Sequence, residues 1–341
     1  MTPSQFAALG MLLPHVKAPQ FRHIEWLSGG PWLVGAPRSF HAFRERSEIL
    51  VTLAEPQEAA TASRGKDVTL SVSTSSPGNV ISAAVQDLWE GWRDFRELWL
   101  AVGWFDIRKR YRRSVLGPFW ITVSLGIFVV GLTVIYGPML SHNIWDYAAY
   151  LAFGFIAWNL VSETIMEGCG VFVVNSLRIQ QMRAPLSLYV YEMIWRNLLI
   201  LAHNFPIYLI VIAFLPVKPA FATLLLIPGI VLVTVTCLVV TMFLGTLCAR
   251  FRDIQPIVMT VMRMMFLLTP VLWYPDQLPP EHRLIAELNP FTYLIDLIRE
   301  PLLGKAPPMS SWAISFGITA ALAAVALPFY GRFCKRIPYW V

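Results

Sequence analysis

Six apolar runs constrain this chain more than any other feature of its sequence. They cover residues 114–136, 148–174, 188–214, 219–248, 256–275 and 310–331. Each run reaches the ~20 residues that an α-helix needs to cross a bilayer. Only 14% of the residues are charged, against roughly 25% in soluble globular proteins. The sequence therefore predicts an all-α integral membrane protein with six transmembrane helices in residues 114–341.

Two prolines fall inside the predicted spans. Pro206 and Pro228 are expected to kink the third and fourth helices, because proline lacks the N–H that an interior helical hydrogen bond requires. His203 and Asn204 precede the first of these prolines. We expect both side chains to bond to carbonyl groups that the kink frees.

Basic residues are distributed unevenly around the runs, and this asymmetry predicts the orientation of the chain. Cytoplasmic loops of membrane proteins carry the excess of Lys and Arg. When the flanks are assigned alternately, fourteen fall on one side and four on the other, so both termini are predicted to be cytoplasmic. The fourteen are Arg93, Arg96, Arg108, Lys109, Arg110, Arg112, Arg113, Arg178, Arg183, Arg250, Arg252, Arg332, Lys335 and Arg336, and the four are Lys218, Arg283, Arg299 and Lys305.

Two segments outside the spans have distinct patterns. Residues 1–85 are polar and lack the basic start, apolar core and cleavage site of a signal peptide, so we predict a retained and largely disordered extension. Residues 86–113 repeat apolar side chains at spacings of three and four with charges between them. That pattern is typical of a cytoplasmic helix lying in the membrane interface, although a core helix of a soluble domain would share it.

Between the fifth and sixth spans, residues 276–309 form a segment too long for a simple turn. It contains two short amphipathic stretches, residues 282–288 and 291–303. Irregular backbone at membrane depth is tolerated only where protein or a wet cavity surrounds it. We therefore predict an external segment that re-enters the membrane.

Four blocks of sequence resemble ABC-exporter permeases that move cell-surface polysaccharides such as O-antigen, capsule and teichoic acid. Residues 106–120, DIRKRYRRSVLGPFW, resemble the segment leading into that family's first span. Residues 175–185, NSLRIQQMRAP, are similar to its cytoplasmic loop after the second span, and residues 249–254, ARFRDI, to its link between spans four and five. Residues 269–271 with 288–290 and Arg299 match the end of the fifth span and the external segment. The loop departs from the family at Gln180 and Gln181, where a basic residue is usual.

The resemblance, which covers residues 86–341, implies the permease subunit of an ATP-driven exporter in the bacterial inner membrane. It implies two permease copies, two copies of a separate ABC ATPase that binds ATP and Mg, a lipid-linked polysaccharide substrate and contacts with membrane lipids, but no nucleic acid. No cofactor is expected in this chain, because no G-x-x-x-x-G-K-[ST] phosphate loop occurs in its sequence. The four cysteines are widely separated and form no CxxC pair, so we predict structural thiols and no metal site.

The resemblance also assigns residues to three roles. In a short cytoplasmic loop, apolar side chains need a partner surface, so we expect the apolar members of the coupling group to be exposed. The ATPase-coupling residues are Asn175, Leu177, Ile179, Met182, Arg183 and Pro185. The residues of the interfacial helix and of the lead-in to the first span are Asp106, Arg108, Arg110, Tyr111, Gly117, Pro118 and Trp120. The residues of the cytoplasmic link are Arg250, Arg252 and Asp253.

Charges inside the predicted spans are costly and mark a pathway or a buried pair. Glu163 and Glu167 share one face of the second span. We predict that one or both pair with Arg263 in the fifth span, and that Glu192 pairs with Arg196 in the third. A direct contact with the substrate stays open, as does an acid/base pair of an integral-membrane glycosyltransferase.

Aromatic residues near span ends also admit two interpretations. Such residues anchor helices at the membrane interface, but sugar rings stack on aromatic faces, and a smooth aromatic lining would let a glycan slide. The candidate conduit residues are Tyr136, Phe266, Trp273 and Tyr274. The sequence leaves a permease for a drug or lipid as the first alternative function and a membrane glycosyltransferase as the second.

Overall fold

The computed structural model describes residues 77–110, 112, 119–139, 143–214, 220–277 and 279–341, which lie in one compact unit, Val72–Val341. Every regular element in this part of the chain is helical, as the composition predicted. The α-helices are α1 (Pro77–Arg93), α2 (Arg96–Arg110), α3 (Phe119–Tyr136), α4 (Ile144–Val174), α5 (Ser176–Gln181), α6 (Ser187–His203), α7 (Phe205–Phe214), α8 (Leu226–Arg250), α9 (Ile254–Leu268), α10 (Leu284–Glu287), α11 (Pro290–Leu302), α12 (Met309–Phe333) and α13 (Ile337–Trp340). Short 3₁₀ turns occupy Gly137–Met139, Phe221–Leu225, Pro275–Gln277, Pro280–His282 and Cys334–Arg336.

Several of these helices have the length and composition of membrane spans. Two shorter apolar helices, Thr122–Tyr136 and Ile254–Leu268, fall within the first and fifth predicted runs. The chain is thus a multi-pass, all-helical membrane protein, whereas six crossings stay a prediction. The four helical stretches long and apolar enough to cross a membrane are Ile144–Val174, Ser187–Phe214, Phe221–Arg250 and Met309–Trp340.

The third predicted span is broken where its proline lies. Helix α6 ends at His203, and α7 begins after Asn204 alone, with Pro206 in its first turn. A ring nitrogen of His203 lies 2.6 Å from the carbonyl oxygen of Leu199, which lies within α6 and is not a carbonyl that Pro206 frees. The side-chain oxygen of Asn204 has no hydrogen-bond partner among the described residues, so the expected role of these two residues is not shown. The second predicted kink is wrong, because Pro228 lies in the first turn of α8, where no intrahelical N–H bond is lost.

The fifth run does not form one helix. Helix α9 ends at Leu268, and the backbone from residue 269 to 274 is irregular. The Thr269 hydroxyl donates to a main-chain carbonyl one turn back, at 2.6 Å, and Pro270 has no N–H to continue the ladder. The predicted boundary at residue 275 was therefore wrong.

Helix α4 is the centre of the fold. Its most apolar window is 83% buried, whereas the corresponding windows of the other three long spans are 17–28% buried. It packs against α3, α6, α8, α9 and α11, and Tyr147, Phe153 and Phe172 are completely buried. A carboxylate on this helix therefore reaches solvent, substrate or a partner only along the narrow face that its neighbours leave open.

The segment of residues 276–309, predicted to be external, packs into the same core. Helix α11 contacts α4, α8 and α12 and buries Leu297 and Ile298 completely. It approaches α8 so closely that a Cβ at Gly229 would lie 2.3 Å from the main-chain oxygen of Leu297. Glycine is required at this crossing because any side chain would collide with main chain.

The predicted interfacial helix is two helices, and its start was placed too late. Helix α1 begins at Pro77, so the last nine residues of the predicted 1–85 extension belong to it; residues 1–76 lie outside the described part. The chain turns at Asp94 and Phe95 before α2 begins. Helix α2 buries Trp99 and Ile107 against α6, and these contacts with the neighbouring helix give it a fixed place in the fold.

Candidate functional site

The loop of residues 175–185, predicted to be cytoplasmic, follows α4 and contains the short helix α5. Leu177 is 71% exposed and Met182 is 39% exposed, as the coupling hypothesis requires. The prediction that Ile179 is exposed is wrong, because its side chain is only 7% exposed and packs in an apolar cluster with Tyr189 and Ile337. The loop thus presents one strongly apolar side chain outward and uses another to hold itself on the protein.

Ion pairing fixes the orientation of the same loop. Arg178 donates from its two terminal nitrogens to Glu192 on α6, at 2.9 and 2.8 Å, and also to the Asn175 side-chain oxygen at 3.1 Å. The hydrogen bond to Glu192 raises the pKa of the Arg178 guanidinium above its ordinary value. The predicted pair between Glu192 and Arg196 is therefore wrong, because Glu192 is engaged by the loop.

The C-terminal residues of the chain support the loop from the other side. Gln180 donates from its amide to the main-chain oxygen of Val341 at 2.8 Å, so the position where the family has a basic residue makes an amide hydrogen bond instead. Ile337 on α13 is completely buried. The guanidinium of Arg250 lies over the ring of Trp340 at 5.7 Å, which joins the link after α8 to the same region.

The interfacial helix α2 is joined to the spans by a shared arginine. Arg196 on α6 donates to Asp106 at 3.2 Å and to Glu167 on α4 at 2.8 Å. Arg110 at the end of α2 reaches within 4.0 Å of Glu167. One guanidinium therefore connects α2, α4 and α6, so displacement of α2 would act directly on two membrane helices.

The other predicted coupling and lead-in residues line no such network. Arg183, Arg252, Asp253 and Arg108 are exposed, and Trp120 is 55% exposed. Pro185 is half-buried. The predicted residues Tyr111, Gly117 and Pro118 lie outside the described residues.

The predicted ion pair between Arg263 and one or both of Glu163 and Glu167 is not formed in the described part of the chain. Glu163 and Arg263 are exposed in the single chain, and Glu167 is half-buried. Within the described residues, neither glutamate forms an ion pair with Arg263, because Glu167 is taken by Arg196 and Arg110. All three nevertheless line one cavity of about 660 Å³, together with Gln255 and Met259.

At the opposite end, the irregular backbone after α9 is held by tyrosines and by a buried arginine. Tyr147 donates to the carbonyl of Leu272 at 2.8 Å, and Tyr150 donates to that of Pro270 at 2.8 Å. Arg299, 3% exposed, donates to the same Pro270 oxygen at 2.6 Å and lies over the Tyr150 ring at 4.1 Å. Asp296 and Glu300 offset its charge. These bonds satisfy backbone groups that the ended helix leaves free.

The four conduit candidates are not brought together. Phe266 stacks with Phe155 and Trp158 at 5.4 and 5.6 Å between ring centres. Tyr274 stacks on Tyr150 at 4.1 Å. Trp273 donates its indole N–H to the carbonyl of Leu267 at 3.1 Å, and Tyr136 is 40% exposed at the end of α3.

Sequence reasoning missed Asp87 and the two tyrosines of α4. Asp87 accepts hydrogen bonds from residues 99, 100 and 243 positions away, and Tyr150 bonds 120 positions away. No local pattern could have revealed partners at such separations. The four cysteines are free, and Cys169, Cys237 and Cys248 are buried. Within the described part of the chain, no group of three His, Cys, Asp or Glu side chains could hold a metal ion.

Comparison with known proteins agrees with this architecture. The sequence model of the family described as ABC-2 type transporter matches residues 97–303. A protein from Klebsiella pneumoniae named O-antigen export system permease protein RfbA is 24% identical over 194 residues, 56% of this chain and 74% of the relative. A protein of the same name from Myxococcus xanthus is 23% identical over 226 residues, 64% of this chain and 86% of the relative. Another of that name from Klebsiella pneumoniae is 25% identical over 199 residues, 57% of this chain and 76% of the relative.

Proposed function

This chain belongs to the ABC-2 type transporter family, and we propose that it is the permease subunit of an exporter of a lipid-linked cell-surface polysaccharide such as an O-antigen. The observation that carries this proposal is the similarity to relatives named O-antigen export system permeases over 74–86% of their length. The matched region contains the cytoplasmic loop, α2 and the external segment. The role is that of a transporter subunit whose energy comes from elsewhere.

We expect a separate ABC ATPase, present in two copies, to bind ATP and Mg and to dock at residues 175–185. Two residues support this proposal. Leu177 is exposed and offers an apolar contact to a partner, and the ion pair of Arg178 with Glu192 fixes the orientation of the loop. Motion of the loop would reach α6 through Glu192, while motion of α2 would reach α4 and α6 through Arg196. ATP hydrolysis would thereby tilt the spans that surround the substrate.

We further propose six crossings of the bacterial inner membrane, with both termini cytoplasmic and two permease copies per transporter. The basic residues support the orientation, since fourteen of eighteen assigned Lys and Arg flank the same ends of the spans. The apolar side chains of α3 support contact with lipid or a second copy, because Ile127, Val130 and Val134 are 62–69% exposed.

Deletion of the gene in its own host tests the function directly. We expect the surface polysaccharide to disappear and lipid-linked polysaccharide to accumulate inside the cell, with both effects reversed by the plasmid-borne gene. Surface material should be measured by antibody or lectin, and internal material by extraction and gel analysis. Normal surface polysaccharide in the deletion strain would refute the proposal and return attention to a drug or lipid substrate.

A further inference from the structure

A polar stripe runs along the open face of the otherwise buried helix α4. Asn159, Glu163 and Glu167 are spaced four residues apart, so their side chains share one face. The rest of the helix from Ala157 to Val171 is mainly buried against its neighbours. An ionisable residue within a membrane span by default faces a functional pathway or a partner.

The stripe forms one wall of a cavity between α4 and α6. The cavity has a volume of about 280 Å³, and apolar side chains of Ile156, Leu160, Ile200 and Leu201 complete its walls. Small-molecule sites typically span ≈300–1,000 Å³, so this one is at the small end and suits a single ring. Its polar lining residues are Arg110, Asn159, Glu163, Glu167, Asn197 and Asn204.

Several of these polar groups have unused hydrogen-bonding capacity. Asn204 is only 2% exposed, yet its side-chain oxygen has no hydrogen-bond partner in the described part of the chain. Within the same residues, Asn159 and Glu163 accept or donate no side-chain hydrogen bond, whereas Asn197 bonds to Thr164 at 3.3 Å. The Asn204 oxygen is out of reach of an occupant, whereas Glu163 is exposed and Asn159 is partly exposed. An occupant of this cavity that carries hydroxyl groups therefore gains hydrogen bonds with Glu163 and Asn159.

Charge distinguishes between classes of occupant. Glu163 and Glu167 contribute two negative charges, and Arg110 and the Arg196 guanidinium bonded to Glu167 contribute two positive charges. The surroundings are thus balanced, which disfavours a strongly charged occupant. The free acceptors require O–H or N–H groups, and a hydrocarbon surface has none.

We infer that this cavity binds one sugar ring of the exported chain, whose hydroxyl groups donate to Glu163 and bond with the Asn159 amide. This inference rests on the proposed function, and it identifies the carbohydrate part of the substrate as what the membrane helices recognise. The apolar walls contact the C–H faces of the ring while the stripe holds its hydroxyls. Repeated exchange of one ring for the next would let a long chain advance without a deep binding site.

Export rates test the inference in cells that contain the complete transporter. Glu163→Gln keeps the shape and removes the charged acceptor, and Asn159→Leu removes the amide. Each should lower the rate of polysaccharide export, per folded permease, by about tenfold. Asp146→Asn is the matched control, since Asp146 is an exposed carboxylate in the first turn of the same helix, and its export should equal that of the unaltered protein.

Occupancy is measured separately with Ile200→Cys, at an apolar wall position of the cavity, in a chain that lacks its native cysteines. N-ethylmaleimide should label this cysteine more slowly in membranes from cells that make the polysaccharide than in membranes from cells blocked in its synthesis. Equal labelling in both, or protection of the cysteine by tetraphenylphosphonium without polysaccharide, would overturn the inference. If gene deletion stops export but Glu163→Gln and Asn159→Leu export normally, this inference fails while the proposed function stands.

Discussion

The Asp87 carboxylate joins α1 to the start of α6 and to α12, and its removal should destabilise the protein measurably. It accepts the backbone N–H groups of Leu186 and Ser187 at 3.0 and 2.9 Å, at the start of α6. It also accepts the hydroxyl of Tyr330 on α12 at 2.7 Å. Leu186, the N-cap residue of α6, has no side-chain cap of its own, so Asp87 supplies the cap from another helix.

The magnitude follows from these contacts. Loss of an Asp N-cap costs about 1 kcal/mol. The hydroxyl of Tyr330, a side chain with 0% exposure, would lose its acceptor, and an unsatisfied buried group costs about 1–3 kcal/mol. Asp87→Ala should therefore lower the free energy of unfolding by about 2–4 kcal/mol.

Thermal unfolding in detergent with a thiol-reactive dye measures this change, because Cys169 and Cys237 are buried in the folded protein and react when it opens. Asp87→Ala should lower the midpoint by about 5 °C or more. Glu90→Ala is the matched control, since Glu90 lies one turn further on and accepts only an exposed hydrogen bond from Gln86 at 2.7 Å. Its midpoint should be unchanged.

The contact with Tyr330 is isolated by a double-mutant cycle. In a Tyr330→Phe background no hydroxyl is left unpaired, so Asp87→Ala should cost about 1–3 kcal/mol less than in the unaltered protein. Equal costs in the two backgrounds would show that the hydroxyl contributes nothing. An unfolding midpoint for Asp87→Ala equal to that of Glu90→Ala would refute the stabilising role of the Asp87 hydrogen bonds altogether.

Three further predictions concern topology, docking and helix packing. In a chain without native cysteines, Ala306→Cys should react with an impermeant thiol reagent in sealed cells, and Leu177→Cys should not. Both cysteines should react in the purified permease, which is the control. Labelling of residue 177 from outside the cell would contradict the predicted orientation. Leu177→Asp should reduce copurification of the ATPase at least fivefold without loss of folded permease, whereas Ile179→Asp should reduce the folded yield itself; full ATPase recovery with Leu177→Asp would exclude the loop as the docking surface. Gly229→Ala should destabilise the protein by about 1–3 kcal/mol, because its Cβ would meet a main-chain oxygen 2.3 Å away. Gly126→Ala should be neutral in the same unfolding assay, because no atom lies within 4 Å of its added Cβ, and equal effects would show that α8 and α11 adjust freely.

The apolar runs alone determined the fold class of this protein. A stretch of about 20 apolar residues has few ways to satisfy its backbone in lipid other than as a helix, so the helical membrane domain was predictable from composition and run length. The blocks of residues 106–120, 175–185 and 249–254 were enough to indicate the family, which the match over residues 97–303 confirms. The break at Asn204 was predictable from Pro206, because the missing N–H of a proline interrupts the helix wherever the proline lies in the sequence.

Partner choice among the charges was decided only by tertiary structure. Spacing placed Glu192 and Arg196 on one helix face, but Arg178 from the loop reaches Glu192 and so releases Arg196 to Asp106 and Glu167. Ion pairs form between the charged groups that the packed helices bring within about 4 Å of each other. The spacing of charged residues along one helix does not determine which other helices pack beside it.

The same distinction separates the exposed residues of the docking loop from the buried ones. Leu177 and Ile179 are equivalent apolar residues in sequence, two positions apart, yet one is 71% exposed and the other 7%. The difference arises because α13 returns to the loop from a distant part of the chain and packs against one side of it. Sequence thus determined that these segments are helices and which of them are apolar enough for lipid, while the long-range packing of those helices decided which side chains are left to meet a partner or a substrate.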